Sequence, residues 1–170
     1  MFDQKRGIRV LFVCSGNICR SPMAQALTGM VLAERDIPVD WLDSAGTLGI
    51  EGQPAAGNAI EAVRELGLQL EDHISKGVSG ALLDKADYIV AVAPEHVREI
   101  VLRRPDALGK TVKLWEYTDR RGRLERIADP IGRPPDDYRT CRNDLLECLR
   151  NWADTLKPAH AAAADRQSKA

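Results

Sequence analysis

Residues 8–35 read IRVLFV-CSGNICRSP-MAQALTGMVLAER, and the order of these three pieces decides the fold. Ile8–Val13 is a short, nearly continuous apolar run rich in β-branched residues, as in a strand buried on both faces of a parallel sheet. Residues 23–35 carry helical periodicity. Strand, tight loop and helix in that order put Cys14 at the carboxyl end of a strand, where open α/β sheets bind ligands. Ser21 is suited to cap the helix and Pro22 to be its first residue, so the spacing predicts a helix start there, its unpaired N–H groups facing the loop. Gly16 and Asn17 both tolerate positive φ, which lets successive amides turn inward. The expected result is an anion nest backed by a helix dipole, favouring a bound dianion and equally a thiolate at Cys14.

Working outward, further strand-like runs lie at 39–44 (VDWLDS), 88–92 (YIVAV) and 111–115 (TVKLW), with helical stretches near 22–35, 54–67 and 94–104. Such alternation predicts an α/β fold with a parallel sheet. A last helix, 135–156, sets Tyr138, Cys141, Leu145, Leu149, Trp152 and Leu156 on one stripe, which should close the domain against the sheet. The reading is one domain over 8–157, between a flexible tail at 1–7 and a disordered tail at 158–170. The segment 117–135, rich in Arg, Pro and Gly, is long for a connection in such a fold and reads as floppy surface or a functional loop.

The 170 residues carry 24 Lys+Arg against 25 Asp+Glu, a net charge of −1, so nothing in the bulk charge points to nucleic acid. No apolar run approaches a bilayer span, and no cleavage site follows the first apolar stretch, which predicts a cytoplasmic protein. Cys14, Cys19, Cys141 and Cys148 are not spaced as a secreted disulfide framework and read as thiols. Neither they nor His73, His96 and His160 have the spacing of a metal site, so neither metal nor cofactor is expected.

Cys14 and Arg20 form a Cys-x5-Arg pattern followed by Ser21. A sulfur nucleophile needs such a cradle, and a planar guanidinium binds two phosphoryl oxygens while charge moves from the leaving oxygen to sulfur. A phenolate leaves poorly unless protonated, so a mobile acid is required. Asp129, before Pro130 in the long loop, is the candidate; once ionised it could activate the water that hydrolyses phospho-cysteine. Cys19 reads either as loop packing or as a partner for a reversible disulfide with Cys14.

With VCSGNICRSP at residues 13–22, the chain resembles the low molecular weight protein-tyrosine phosphatase family from about Ile8 to Leu156. Further matches are Ser44-Ala45-Gly46-Thr47, His73, Asp129-Pro130 with Gly132, and Tyr138. The resemblance implies a four-stranded parallel sheet of order 2-1-3-4 with helices on both faces. It also implies Cys14 as nucleophile, Arg20 for substrate and transition-state charge, and Asp129 as acid then base. Asn17, Ser21, Ser44 and His73 would hold the loop and assist the thiolate. Ser15, Gly16, Asn17, Ile18, Cys19 and Ser21 would surround the substrate, with Ile50 and Ile131 as its walls. The partner would be a phosphorylated protein, and the chain a monomer or weak dimer.

Where the tyrosine phosphatases carry aromatic walls, Ile50 and Ile131 form an aliphatic slot that accepts a ring without the stacking gain of about 0.5–1.5 kcal/mol. The related protein-arginine phosphatases resemble the last third comparably but usually carry Thr where Ile18 stands, which favours phosphotyrosine and keeps phosphoarginine as the alternative. Arsenate reduction would need Cys141 and Cys148 to bridge, yet they lie about 10 Å apart along one predicted helix. A non-catalytic module docking through Arg120, Arg121, Arg123 and Arg126 would need neither a thiol nor an acid, and those arginines read instead as a solvated face.

Overall fold

β1 (Ile8–Cys14) is a central strand of a four-stranded parallel sheet in a computed structural model that describes residues 6–120 and 124–167, with side chains up to Leu156. β2 (Val39–Gly46) and β3 (Tyr88–Ala91) flank it, and β4 (Thr111–Lys113) lies beyond β3, giving the order β2-β1-β3-β4. Neighbours on both edges explain why Val10, Leu11, Phe12 and Val13 are wholly buried and read as an unbroken apolar run. The chain leaves β1 towards β2 on one side and returns to β3 on the other. The carboxyl end of β1 is therefore a topological switch point, with Cys14 beside Gly46 and Val13 between Ala45 and Ala91.

α1 (Arg20–Ala33) packs on β1 and β2 and against α5 (Pro135–Gln167), while α4 (Pro94–Arg103) packs on β3 and β4. Right-handed crossovers in opposite directions from the centre put α1 and α4 on opposite faces of the sheet. α2 (Gly57–Arg64) sits against α1 and α5. The stripe expected on α5 is all buried, from Tyr138 to Leu156, with Cys148 added to it.

Three local expectations change. α3 (Gly80–Lys85) is a six-residue helix too short to announce itself by periodicity; Ser79 caps it by accepting from the Leu82 amide. The strand expected over 111–115 stops at Lys113, and Leu114–Tyr117 turn into a 3-10 helix that still buries Leu114 and Trp115, so an apolar pattern alone could not separate the two. α5 runs to Gln167 rather than ending before a disordered tail at 158; alanines 161–164 are the strongest helix formers. Residues 1–5 and 168–170 of the expected tails, and Arg121 and Arg123 of the basic loop, lie outside the described residues.

Candidate active site

The loop after β1 curls around the Cys14 sulfur. Cys14 Sγ lies 2.9 Å from Ser21 Oγ and receives the Asn17 amide at 3.3 Å. Asn17 is wholly buried and is the loop residue with positive φ, +56°. Gly16 does not use that region, contrary to expectation; a Cβ there would meet only ordinary contacts with Ile18 and Ile50. The glycine this loop requires is Gly46 on the neighbouring strand, where a Cβ would stand 2.6 Å from Ser15 O and 3.0 Å from Asn17 N.

Ser21 does not cap the helix as predicted. α1 begins at Arg20 with Cys19 before it and no side-chain cap. The Ser21 hydroxyl faces the sulfur instead, while its oxygen accepts from Asn17 Nδ2 at 3.0 Å, which leaves its hydrogen free to donate to sulfur. Asn17 Nδ2 also donates to Ser44 Oγ at 2.9 Å, and Asn17 Oδ1 accepts from the Lys76 amide at 2.9 Å. His73 Nε2 donates to the Asn17 carbonyl at 2.7 Å; burial lowers its pKa. Ser44 and His73, implied by resemblance alone, are thus drawn into one network that braces Asn17 from both sides.

Arg20 is 3% exposed. Its Nη1 donates to Ile127 O at 3.1 Å, and its Nη2 donates to Asp129 Oδ2 at 2.9 Å and Ser15 Oγ at 3.3 Å. Asp129 Oδ1 accepts from the Ile131 amide at 3.2 Å, an Asx turn across Pro130 that Gly132 continues at φ +70°. The long loop is therefore anchored with the Asp129 carboxylate beside Arg20. A cavity of about 140 Å³ opens between these groups, lined by Cys14, Ser15, Gly16, Ile18, Cys19, Arg20, Ile50, Asp129 and Ile131, whereas Asn17 and Ser21, expected around the substrate, are wholly buried behind it.

Two lining or supporting residues escape sequence reasoning. Leu48 joins Ile50 and Ile131 at the cavity wall; its place just after the turn beyond β2 was a usable signal. His96, on the first turn of α4, is wholly buried with Nε2 2.9 Å from Ser15 Oγ. Burial, then Arg20, lowers its pKa to about 4, with Glu95 and Asp129 opposing and Arg126 adding to the shift. No local pattern marks it.

Cys19 is buried against the Tyr138 hydroxyl at 3.6 Å, and burial pushes its pKa up to about 11. Cys141 and Cys148 are buried free thiols on α5, Cys148 raised by burial to about 12. Of the basic loop, Arg120 pairs with Asp144 and Arg126 with Glu95 at 2.9 Å, so both face the protein's own carboxylates. Among the described residues, no three His, Cys, Asp or Glu side chains cluster as metal ligands.

Residues 9–162 match the family described as low molecular weight phosphotyrosine protein phosphatase. A protein-arginine-phosphatase of Geobacillus stearothermophilus is 36% identical over 149 residues, covering 88% of this chain and 96% of that one. The low molecular weight protein-tyrosine-phosphatase Etp of Escherichia coli is 27% identical over 86% of this chain and 93% of its own. Among solved structures, a low molecular weight protein tyrosine phosphatase from T. tengcongensis superposes with TM-score 0.78 at 32% identity, covering 88% of this chain and 100% of that one.

Proposed function

The chain belongs to the low molecular weight protein-tyrosine phosphatase family, and we propose that it hydrolyses phosphotyrosine in proteins through a phospho-Cys14 intermediate. Cys14 Sγ attacks phosphorus, an S–P bond forms, and the P–O bond to the phenol breaks. Asp129 gives its proton to the leaving oxygen, then takes one from the water whose oxygen displaces sulfur. Arg20 holds two phosphoryl oxygens and carries the charge of the transition state. A dianionic ester competes with Asp129 for the guanidinium, which frees the carboxyl to reach the leaving oxygen. The Ser21 hydroxyl stabilises the sulfur as it departs. The observation that carries this reading is the joining of Cys14, Arg20 and Asp129 about one cavity, with the buried Ser21 hydroxyl on the Cys14 sulfur.

Ile18, Leu48, Ile50 and Ile131 make the walls apolar, and Asp129 is the one acidic side chain lining the cavity among the described residues. That suits a phenyl ring better than the guanidinium of phosphoarginine, whose positive charge and N–H groups would need further acidic or polar partners. Hydrolysis of phosphoarginine by the same steps is the second reading, favoured by the 36% identity to a protein of that name. The enzyme would work in the cytoplasm as a monomer or weak dimer, without nucleic acid or membrane; no described helix is long and apolar enough to cross a bilayer.

The test is kcat/KM on phosphotyrosine, phosphoserine and phosphoarginine peptides, with Ile18→Thr alongside. Phosphotyrosine should lead in the wild type, and Ile18→Thr should raise phosphoarginine turnover. A wild type that prefers phosphoarginine overturns the substrate while leaving the mechanism, and substantial turnover by Cys14→Ser overturns the nucleophile.

A further inference from the structure

His96 is a buried imidazole that the steps above do not use. Among the described residues, its Nε2 hydrogen-bonds only to Ser15 Oγ at 2.9 Å, and its Nδ1 has no partner. Two proton placements satisfy that contact. Were Ser15 to donate to Nε2, the ring hydrogen would sit on Nδ1 as a buried N–H without an acceptor, the rarer and costlier orphan. With the hydrogen on Nε2, the orphan is only a lone pair. The second placement is favoured. A doubly protonated ring is excluded by burial and by Arg20 beside it, while Glu95, Asp129 and Arg126 are the other charged groups facing it.

Ser15 Oγ then accepts twice, from His96 Nε2 and from Arg20 Nη2 at 3.3 Å. Both lone pairs are occupied, so the hydroxyl hydrogen must point away from both donors. Ser15 lines the substrate cavity together with Cys14 and Arg20. We propose that His96 is a positioning residue that holds the Ser15 hydroxyl as a hydrogen-bond donor to a phosphoryl oxygen of the bound ester. Ser15 thereby adds a side-chain donor to those of the loop amides and Arg20, and His96 acts only through it. The inference rests on the phosphatase reading above.

The test compares wild type, Ser15→Ala, Ser15→Thr, His96→Leu, His96→Gln and the Ser15→Ala/His96→Leu double variant. Turnover of p-nitrophenyl phosphate, binding of inorganic phosphate and Tm are measured for each. Ser15→Ala and His96→Leu should each lower kcat/KM about tenfold to a hundredfold, the range of one hydrogen bond to a charged acceptor, and weaken phosphate binding in parallel. The double variant should lose no more than the worse single one, because removing the hydroxyl leaves His96 nothing to position. Ser15→Thr keeps the hydroxyl, and His96→Gln restores an N–H near the Nε2 position; both should recover most of the loss. Losses that multiply, or a His96→Gln variant as impaired as His96→Leu at equal Tm, would overturn the inference. Should His96→Leu not fold, undiminished turnover in Ser15→Ala overturns it alone. A wild type without turnover overturns the phosphatase reading and this inference together, whereas an active wild type with multiplying losses overturns only the latter.

Discussion

Gly46→Ala should damage the site while sparing the fold. The added Cβ would stand 2.6 Å from Ser15 O, 3.0 Å from Asn17 N and 3.0 Å from Gly16 C, all of them backbone atoms of the loop that holds Cys14. Ordinary contact begins near 3.4 Å, so loop and strand must separate by roughly half an ångström or more. The strand cannot simply recede. Gly46 N donates to Lys76 O at 2.8 Å, and Gly46 O accepts from the Val78 amide at 3.0 Å. On the loop side, Ser15 O accepts from the Leu48 amide at 3.0 Å. The shift therefore falls on Ser15, Gly16 and Asn17, around the sulfur and the phosphoryl site. Misplacement by an ångström far from the chemistry can cost about a hundredfold, so kcat/KM for p-nitrophenyl phosphate should fall about tenfold to a hundredfold. Overpacking should cost about 1–3 kcal/mol of stability. Gly29→Ala is the control. It lies inside α1 with only Leu42 Cδ1 at 3.9 Å from the new carbon, so it should leave turnover unchanged and gain about 0.5–1 kcal/mol. Wild-type turnover and phosphate affinity in Gly46→Ala would refute the argument that this close approach shapes the loop.

Three further outcomes follow from the same geometry. Asp129→Asn should lower kcat/KM for phosphotyrosine peptides about a hundredfold or more, but kcat/KM for activated aryl phosphates much less, since a good leaving group needs no proton and this ratio stops at formation of phospho-Cys14; equal falls in both would remove the acid role. Asn17→Ala strips partners from Ser21, Ser44 and the Lys76 amide and puts Ala at φ +56°. Denaturant unfolding should show a loss of about 2–4 kcal/mol, and a loss near zero would deny the network its weight. His96 is held neutral in the fold, with its pKa lowered from 6.5 to about 4. Below the unfolded value the unfolded chain binds a proton that the native chain refuses, so stability should fall as pH drops from about 6.5 to about 4, by up to about 3 kcal/mol. That slope should flatten in His96→Gln, and an unchanged slope would assign the acid sensitivity elsewhere.

The loop was legible because its parts are contiguous: an apolar strand, a turn that needs left-handed backbone, and a helix start occupy residues 8–35 with nothing between them. Its inner wiring was less so. Ser21 followed by Pro22 satisfies the pattern of a helix cap, and only the approach of the Cys14 sulfur shows why the hydroxyl serves the site instead. Asp129 was reachable because Asp-Pro is a turn signal within an unusually long connection. Ser44 and His73 carry no local signal and entered by resemblance. His96 looks like any polar residue on the first turn of an amphipathic helix. Its function depends on α4 packing over β3 beside β1, a relation among segments about 80 residues apart that no periodicity encodes. Gly46 belongs to the Ser44-Ala45-Gly46-Thr47 stretch that carries the resemblance, but its reason, the near-contact with Ser15 and Asn17, exists only once the two strands are paired.

In the proposed mechanism Cys14 becomes covalently phosphorylated during turnover. Mixing enzyme with a phosphotyrosine peptide, quenching in acid within the first turnover and mapping the modified peptide by mass spectrometry tests it directly. One phosphoryl group on Cys14, absent from Cys14→Ala and accumulating when hydrolysis is slowed in Asp129→Asn with an activated aryl phosphate, is the predicted result. Full turnover with no phosphoryl group on Cys14, or with the group on another side chain, would contradict it.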